Sequence, residues 1–250
     1  MIYVLSGLAS FFVAMLAATL GIGGSFLLIP IFVWLGLDFK FSVVPMVLLL
    51  NLVISLAAQT SYLKKGLTDI KTGLTMSMVA VIFAQIGAYV SRYMQADTLM
   101  LIFAMLVLGI AVDIIFFNNY DEKDWLKSEL NVNVFILIIA GAIAGAMSGL
   151  VGIGGGFIIM PVLLLVGAPP KRAAATSSLF VFFSSSSALL GHLEGQTVDL
   201  NIALICVACV AIGAKAGAIL MTDKFKPKTV KKLFGFVMIL IAVKIFYDAM

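Results

Sequence analysis

The chain has 250 residues, 63% of them hydrophobic and only 11% charged, with a formal net charge of +4. A soluble domain carries far more polar residues than this, and the long unbroken apolar runs exclude a membrane barrel, whose strands are short and alternate apolar with polar. What remains is an all-α polytopic membrane protein, whose positive balance reports loop lysines and arginines and not a nucleic-acid surface.

The first apolar run covers 2–20 and has no basic residue before it. It therefore lacks the charged n-region of a signal peptide and is read as a retained segment. The next apolar segments are 26–36, 42–63, 70–92, 97–117, 132–150, 157–167, 173–193, 198–221 and 229–247. Crossing a bilayer as a helix takes about 20 residues, so 26–36 and 157–167 are too short. Each follows a glycine phrase, Gly21-Ile22-Gly23-Gly24 or Gly152-Ile153-Gly154-Gly155, and carries a proline, Pro30 or Pro161.

The two phrases stand 131 residues apart, as do Phe26 and Phe157, Gly36 and Gly167, and Lys40 and Lys171. Gln85-Ile86-Gly87-Ala88 matches Lys215-Ala216-Gly217-Ala218 at an offset of 130. The chain is an internal repeat. Residues 1–117 form a first transmembrane repeat, 118–131 a linker and 132–250 a second repeat, with five apolar segments in each.

Basic residues orient this plan. When every segment counts as a crossing or a hairpin arm, Lys64, Lys65, Lys71, Lys123, Lys127, Lys171, Arg172, Lys224, Lys226, Lys228, Lys231 and Lys232 share one side, and only Lys40 and Arg92 lie on the other. When the two short segments are left out, the split is five against nine. The positive-inside rule selects the first count, with a cytoplasmic linker and both termini outside. An odd number of segments per half inverts the second repeat, an architecture common among secondary transporters. The expected fold is thus two inverted-topology repeats of five helical segments. A glycine-tipped hairpin, re-entrant or broken, opens each repeat.

The glycine phrases are the leading site candidates. Glycine closes tight turns and admits close neighbours, and the helix that follows exposes unpaired N–H groups and a positive dipole end suited to an anion. Gly21, Gly23, Gly24 and Ser25 would face Gly152, Gly154, Gly155 and Gly156 across the midplane. Tight helix crossing is the competing reading, and it fits Gly141, Gly145 and Gly149, which recur every four residues. Polar residues inside apolar segments are costly and often functional. Asn51 in the first half and Thr176, Ser177 and Ser178 in the second, with Ser184 to Ser187 beyond them, would line a polar cavity. Gln85 and Lys215 occupy matching places; Lys215 either meets an anion or snorkels to the nearby interface. Asp113 and Lys244 also match, and read as interfacial anchors. Cys206 and Cys209 lack partners for a metal site and read as packing residues. One histidine, His192, holds no metal alone, and neither phrase ends like a P-loop. No catalytic residue, metal or cofactor is expected, and the chain does not read as an enzyme.

These motifs resemble those of the TauE/SafE sulfite exporters, also called the TSUP family. The resemblance lies in G-I-G-G-S-F-x-x-x-P at 21–30 and G-I-G-G-G-F-x-x-x-P at 152–161. Ala-Thr-Ser-Ser at 175–178, Gly-x-x-x-Asp at 195–199 and Gly-Ala-Lys-x-Gly-Ala at 213–218 add to it. It spans nearly the whole chain and implies a membrane carrier for sulfite, thiosulfate or organosulfonates. The first half departs where Pro45-Met46-Val47 stands opposite Thr176-Ser177-Ser178, so the halves need not contribute equally. The expected function is alternating-access transport of a small sulfur-containing anion across the inner membrane of a bacterial-type cell, in the direction of export. A monovalent anion leaving an inside-negative cell gains roughly 2.3 kcal/mol per 100 mV. An anion channel, or an uptake carrier for another small anion or sulfur compound, is the alternative. The expected partners are the substrate and the lipid bilayer; monomer and homo-oligomer both stay open.

Overall fold

The computed structural model describes residues 2–95, 98–99, 101–102, 105, 134–194, 196–226 and 229–230. Most of segments 97–117 and 229–247, the linker 118–131, Asp113, Gly195 and Lys244 lie outside the described residues. The described elements are α1 (Ile2–Leu20), α2 (Ser25–Trp34), α3 (Val44–Lys64), α4 (Ile70–Ser91), α5 (Val134–Val151), α6 (Gly156–Leu165), α7 (Pro170–Gly191) and α8 (Leu200–Ile219). A π-helical turn, Phe39–Val43, leads into α3, and another, Leu220–Lys224, prolongs α8. Every described element is helical, and six are long and apolar enough to cross a membrane.

Local chemistry sets the boundaries. Asp69 and Asp199 cap α4 and α8, accepting from Thr72 N–H and from Asn201 and Ile202 N–H, which satisfies donors that a helix start leaves free. Pro45 and Pro170 stand in the first turns of α3 and α7, where a missing N–H costs nothing. The short helices α2 and α6 end alike. Gly36 at φ 83° and Gly167 at φ 89° turn left-handed. Leu37 N–H then reaches Phe32 O, and Ala168 N–H reaches Leu163 O. That is the Schellman termination, and it holds both helices to ten residues.

Packing crosses between the halves. α1 lies on α8, α4 lies on α5, and α3 and α7 pack together in the middle. The outer pairs are close because glycine permits it. A Cβ on Gly217 would sit 2.0 Å from Met15 O, and one on Gly87 would sit 2.2 Å from Ala146 O; Met15 and Ala146 are themselves 131 apart. Gly141, Gly145 and Gly149 meet the backbone of Met76, Ala80 and Ala84 in order, the small-residue packing expected of them. Residue numbers rise together along α1 and α8 and along α4 and α5. Along α3 and α7 and the segments that extend them they run oppositely: Gln59 reaches Ala175 while Ser42, in the turn before α3, reaches Thr197, beyond α7. The outward faces carry Met78, Ile82, Phe135, Leu204 and Ile212, all exposed, as suits a surface solvated by lipid.

Candidate functional site

The two glycine phrases meet between α3 and α7. Gly23 and Gly154 both abut Asn51 of α3 and Val181 of α7, and a Cβ on Gly156 would sit 2.7 Å from Ile22 O. Left-handed backbone at Gly21, Gly23, Gly152, Gly154 and Gly155 makes this approach possible. Asn51 and Val181 lie near the middle of their helices, and all eight phrase residues are buried.

Polar contacts at the meeting point differ between the phrases. Asn51 Oδ1 accepts from Gly24 N–H at 2.7 Å and Ser25 N–H at 3.1 Å. Its Nδ2 donates to Ser25 Oγ and, at 3.5 Å, to Ile153 O. Asn51 thus takes the donors that open α2, which the sequence assigns to an anion. On the second phrase, Ser184 Oγ donates to Gly154 O at 2.6 Å and Ser177 Oγ to Gly156 O at 3.0 Å. These bonds occupy carbonyls and leave N–H groups alone. Gly155, at φ 72°, opens α6 without a side-chain cap. Ser185 Oγ is fully buried with no hydrogen-bond partner and lies 2.8 Å from where a Gly154 Cβ would be. A buried unpaired hydroxyl costs about 1–3 kcal/mol, so it marks a place suited to a ligand or water.

The structure brings Gly23, Gly24, Ser25, Asn51, Gly154, Gly156 and Ser177 together. Gly21 and Gly152 flank them against Ala174 and Val44, and Gly155 packs on Ala144 and Phe180. Ser178 is buried on α7. Three candidates stand apart from this cluster. Thr176 Oγ1 accepts from Asp69 N–H at 3.0 Å near the start of α7. Gln85 donates to Ser187 O at 2.5 Å near its far end. Lys215 is exposed on α8. Cys206 and Cys209 are free thiols, and Cys209 packs against Gly7. Among the described residues, no group of three or more His, Cys, Asp and Glu side chains is placed to hold a metal ion.

Two latches escape a reading of the sequence. Tyr62 at the end of α3 donates its hydroxyl to Ala18 O. His192, just past α7, donates from Nε2 to Gly149 O at 2.6 Å. Ala18 and Gly149 are 131 apart and each lies three residues before its phrase, so each latch holds the approach to one glycine turn. The repeat offset pairs these carbonyls, but nothing in the sequence pairs tyrosine with histidine. Burial holds the His192 pKa below its ordinary 6.5, and Arg92 and Lys40 add to this against the bond to Gly149.

The model of the family described as sulfite exporter TauE/SafE matches residues 6–245. A protein of Methanocaldococcus jannaschii described as a probable membrane transporter is 25% identical over 239 residues, covering 88% of this chain and 86% of its own. No solved structure gives a significant match.

Proposed function

The chain belongs to the TauE/SafE sulfite exporter family of membrane transporters, and from that premise we propose that it carries a small sulfur-containing anion outward across the inner membrane by alternating access. Sulfite, thiosulfate and organosulfonates are the substrates considered. The observation that carries this reading is the buried meeting of two glycine turns at mid-helix depth. Backbone that leaves the helix inside a membrane is tolerated where it is covered by protein or lines a cavity. Here it presents the uncapped start of α6, and a helix start favours an anion.

The site we assign is centred on Gly154, Gly155 and Gly156, with Ser177, Ser178, Ser184 and Ser185 on α7. Gly21, Gly23, Gly24, Ser25 and Asn51 form the opposing wall. The close approach of Gly156 to Ile22 leaves the turns shut against one another, so binding requires them to part. Inverted repeats give such a motion its symmetry. Their support is the opposed run of α3 and α7, which the 131-residue offset makes equivalent. On this plan each glycine hairpin enters from its own face, the linker is cytoplasmic, and both termini are outside.

Flux of radiolabelled sulfite, thiosulfate and a sulfonate into proteoliposomes tests the function. A carrier gives saturable uptake with counter-transport. Unsaturable uptake without counter-transport would establish a channel, and the absence of flux for all three would sink the sulfur-anion reading. Impermeant labelling of single cysteines in the linker and at each terminus checks the orientation.

A further inference from the structure

Between the ends of α4 and α7 lies a cavity of about 120 Å³ lined by Lys40, Ser91, Arg92, His192, Glu194 and Gln196, among others. A buried water needs ~10–15 Å³ of such space, so there is room for a small oxyanion and several waters. Two cations and one carboxylate line it, leaving a positive excess. Lys40 and Arg92 are also the two basic residues that the sequence leaves on the sparsely charged face, and both line this cavity. Lys40 Nζ is held by Arg92 O at 2.8 Å and Met94 O at 3.2 Å. The Arg92 guanidinium donates to Gly191 O at 3.0 Å and pairs with Glu194 at 2.5 Å.

One wall of the cavity is tied to the second glycine phrase. His192 forms part of its wall and holds Gly149 O, one turn before that phrase. Below Gly191, α7 carries Ser187, bonded to Val81 O and Gln85 of α4, and then Ser184, which reaches Gly154; this face is closed against α4, so an anion passes only when the two helices part. From Gly191 to Ser184 is seven residues, about 10 Å along a helix.

We propose that this cavity is an outer anion-binding antechamber, where a small oxyanion leaving the second glycine phrase settles between Lys40 and Arg92 before release. This rests on the transport reading and adds the outer-face site that the anion occupies as it leaves. The opposite end of the bundle carries a matching arrangement. There Lys171 Nζ donates to Thr222 O at 2.9 Å, as Lys40 does to Arg92 O. The accompanying ion pair is reversed: Asp223 beyond α8 supplies the carboxylate, and Lys65 beyond α3 the cation.

The test uses the full chain in proteoliposomes of defined orientation, with radiolabelled thiosulfate and sulfite as probes and half-saturation measured from each face. Lys40→Gln is expected to raise the half-saturation concentration from the Arg92 face roughly threefold to tenfold at low salt, and by less at high salt. The maximal rate and the half-saturation from the Lys65 face stay put. Glu194→Gln removes only the carboxylate and moves the value the other way, by about twofold to threefold. Lys40→Arg keeps the wild-type value. If Lys40→Gln fails to fold, Glu194→Gln carries the test. Half-saturation unmoved in these variants, or moved equally from both faces, overturns the antechamber while leaving transport intact. Absence of wild-type flux overturns the transport reading and the antechamber with it.

Discussion

The two glycine phrases are identical but the residue after each is not, Ser25 against Gly156, and this difference sits where they meet. In the first half the helix start is closed by its own neighbourhood: Asn51 accepts from Gly24 and Ser25 and donates to the Ser25 hydroxyl. In the second half the serines of α7 hold carbonyls, and the start of α6 carries no side-chain cap. Asn51 has Phe182 as its counterpart at the repeat offset, a side chain that cannot accept a hydrogen bond. One copy of the duplicated motif is therefore a fixed wall, and the other retains the donors. Duplication supplies two equivalent positions, and a single amide side chain makes them unequal.

Substitution at the glycines should break this comparison with the largest effect. Gly154→Leu places a side chain at φ 75° against Asn51 and Ser185. Overpacking of this kind costs typically 1–3 kcal/mol, to which the left-handed backbone adds. Flux should be lost, and normal flux in a folded protein would dismiss the assigned site. Next comes Asn51→Ala, which strands two buried donors at about 1–3 kcal/mol. It should lower thermal stability more than Ser184→Ala, which removes one bond worth about 1 kcal/mol. Equal losses would mean that the phrases are supported alike. Ser185→Ala removes a hydroxyl that has no protein partner; it should weaken thiosulfate binding while leaving the melting temperature nearly unchanged, whereas a fall in melting temperature would assign it a structural bond.

The latches give a smaller effect that separates the two ends by pH. The folded-state pKa of His192 is depressed, so the unfolded chain binds the extra proton first. Stability is then greatest above about 6.5, the ordinary histidine value, and declines as pH falls below it. His192→Gln should remove that component of the decline, measured as melting temperature against pH. Tyr62→Phe should lower stability by about 1 kcal/mol without changing its pH dependence between pH 5 and 8. A wild-type pH slope in His192→Gln would show that the histidine is not the source.

The sequence speaks clearly on some of these features and not on others. The helical segments follow from the length of the apolar runs, and the duplicated phrase announces a buried turn. Gly141, Gly145 and Gly149 expose their packing role through their spacing alone. What is missing is direction around each helix axis. In water an apolar stripe identifies the buried face, but lipid makes the outer face of a membrane helix equally apolar. Lys215 and Gln85 therefore read as a matched pair of site residues, while the structure exposes the first and bonds the second to Ser187. Asn51 is legible as an interior polar residue. Its grip on Gly24 depends on contact between segments 27 residues apart, which no local pattern encodes. The latches are hidden for the same reason, since a backbone carbonyl leaves no mark in the sequence.

The glycine seams between α1 and α8 and between α4 and α5 also bear on how the chain is made. Synthesis delivers α4 and α5 with 42 residues between them, so that seam forms soon after the linker is made. α1 must wait until nearly 200 residues have followed before the helix that fits Gly7 and carries Gly213 and Gly217 reaches the membrane. Closing so long a loop is slow, and through that interval the apolar flank of α1 remains beside lipid without its partner. The later of the two seams is thus the one that backs α1, the helix leading into the first glycine phrase, and a chain cut short before α8 leaves that helix without its outer support.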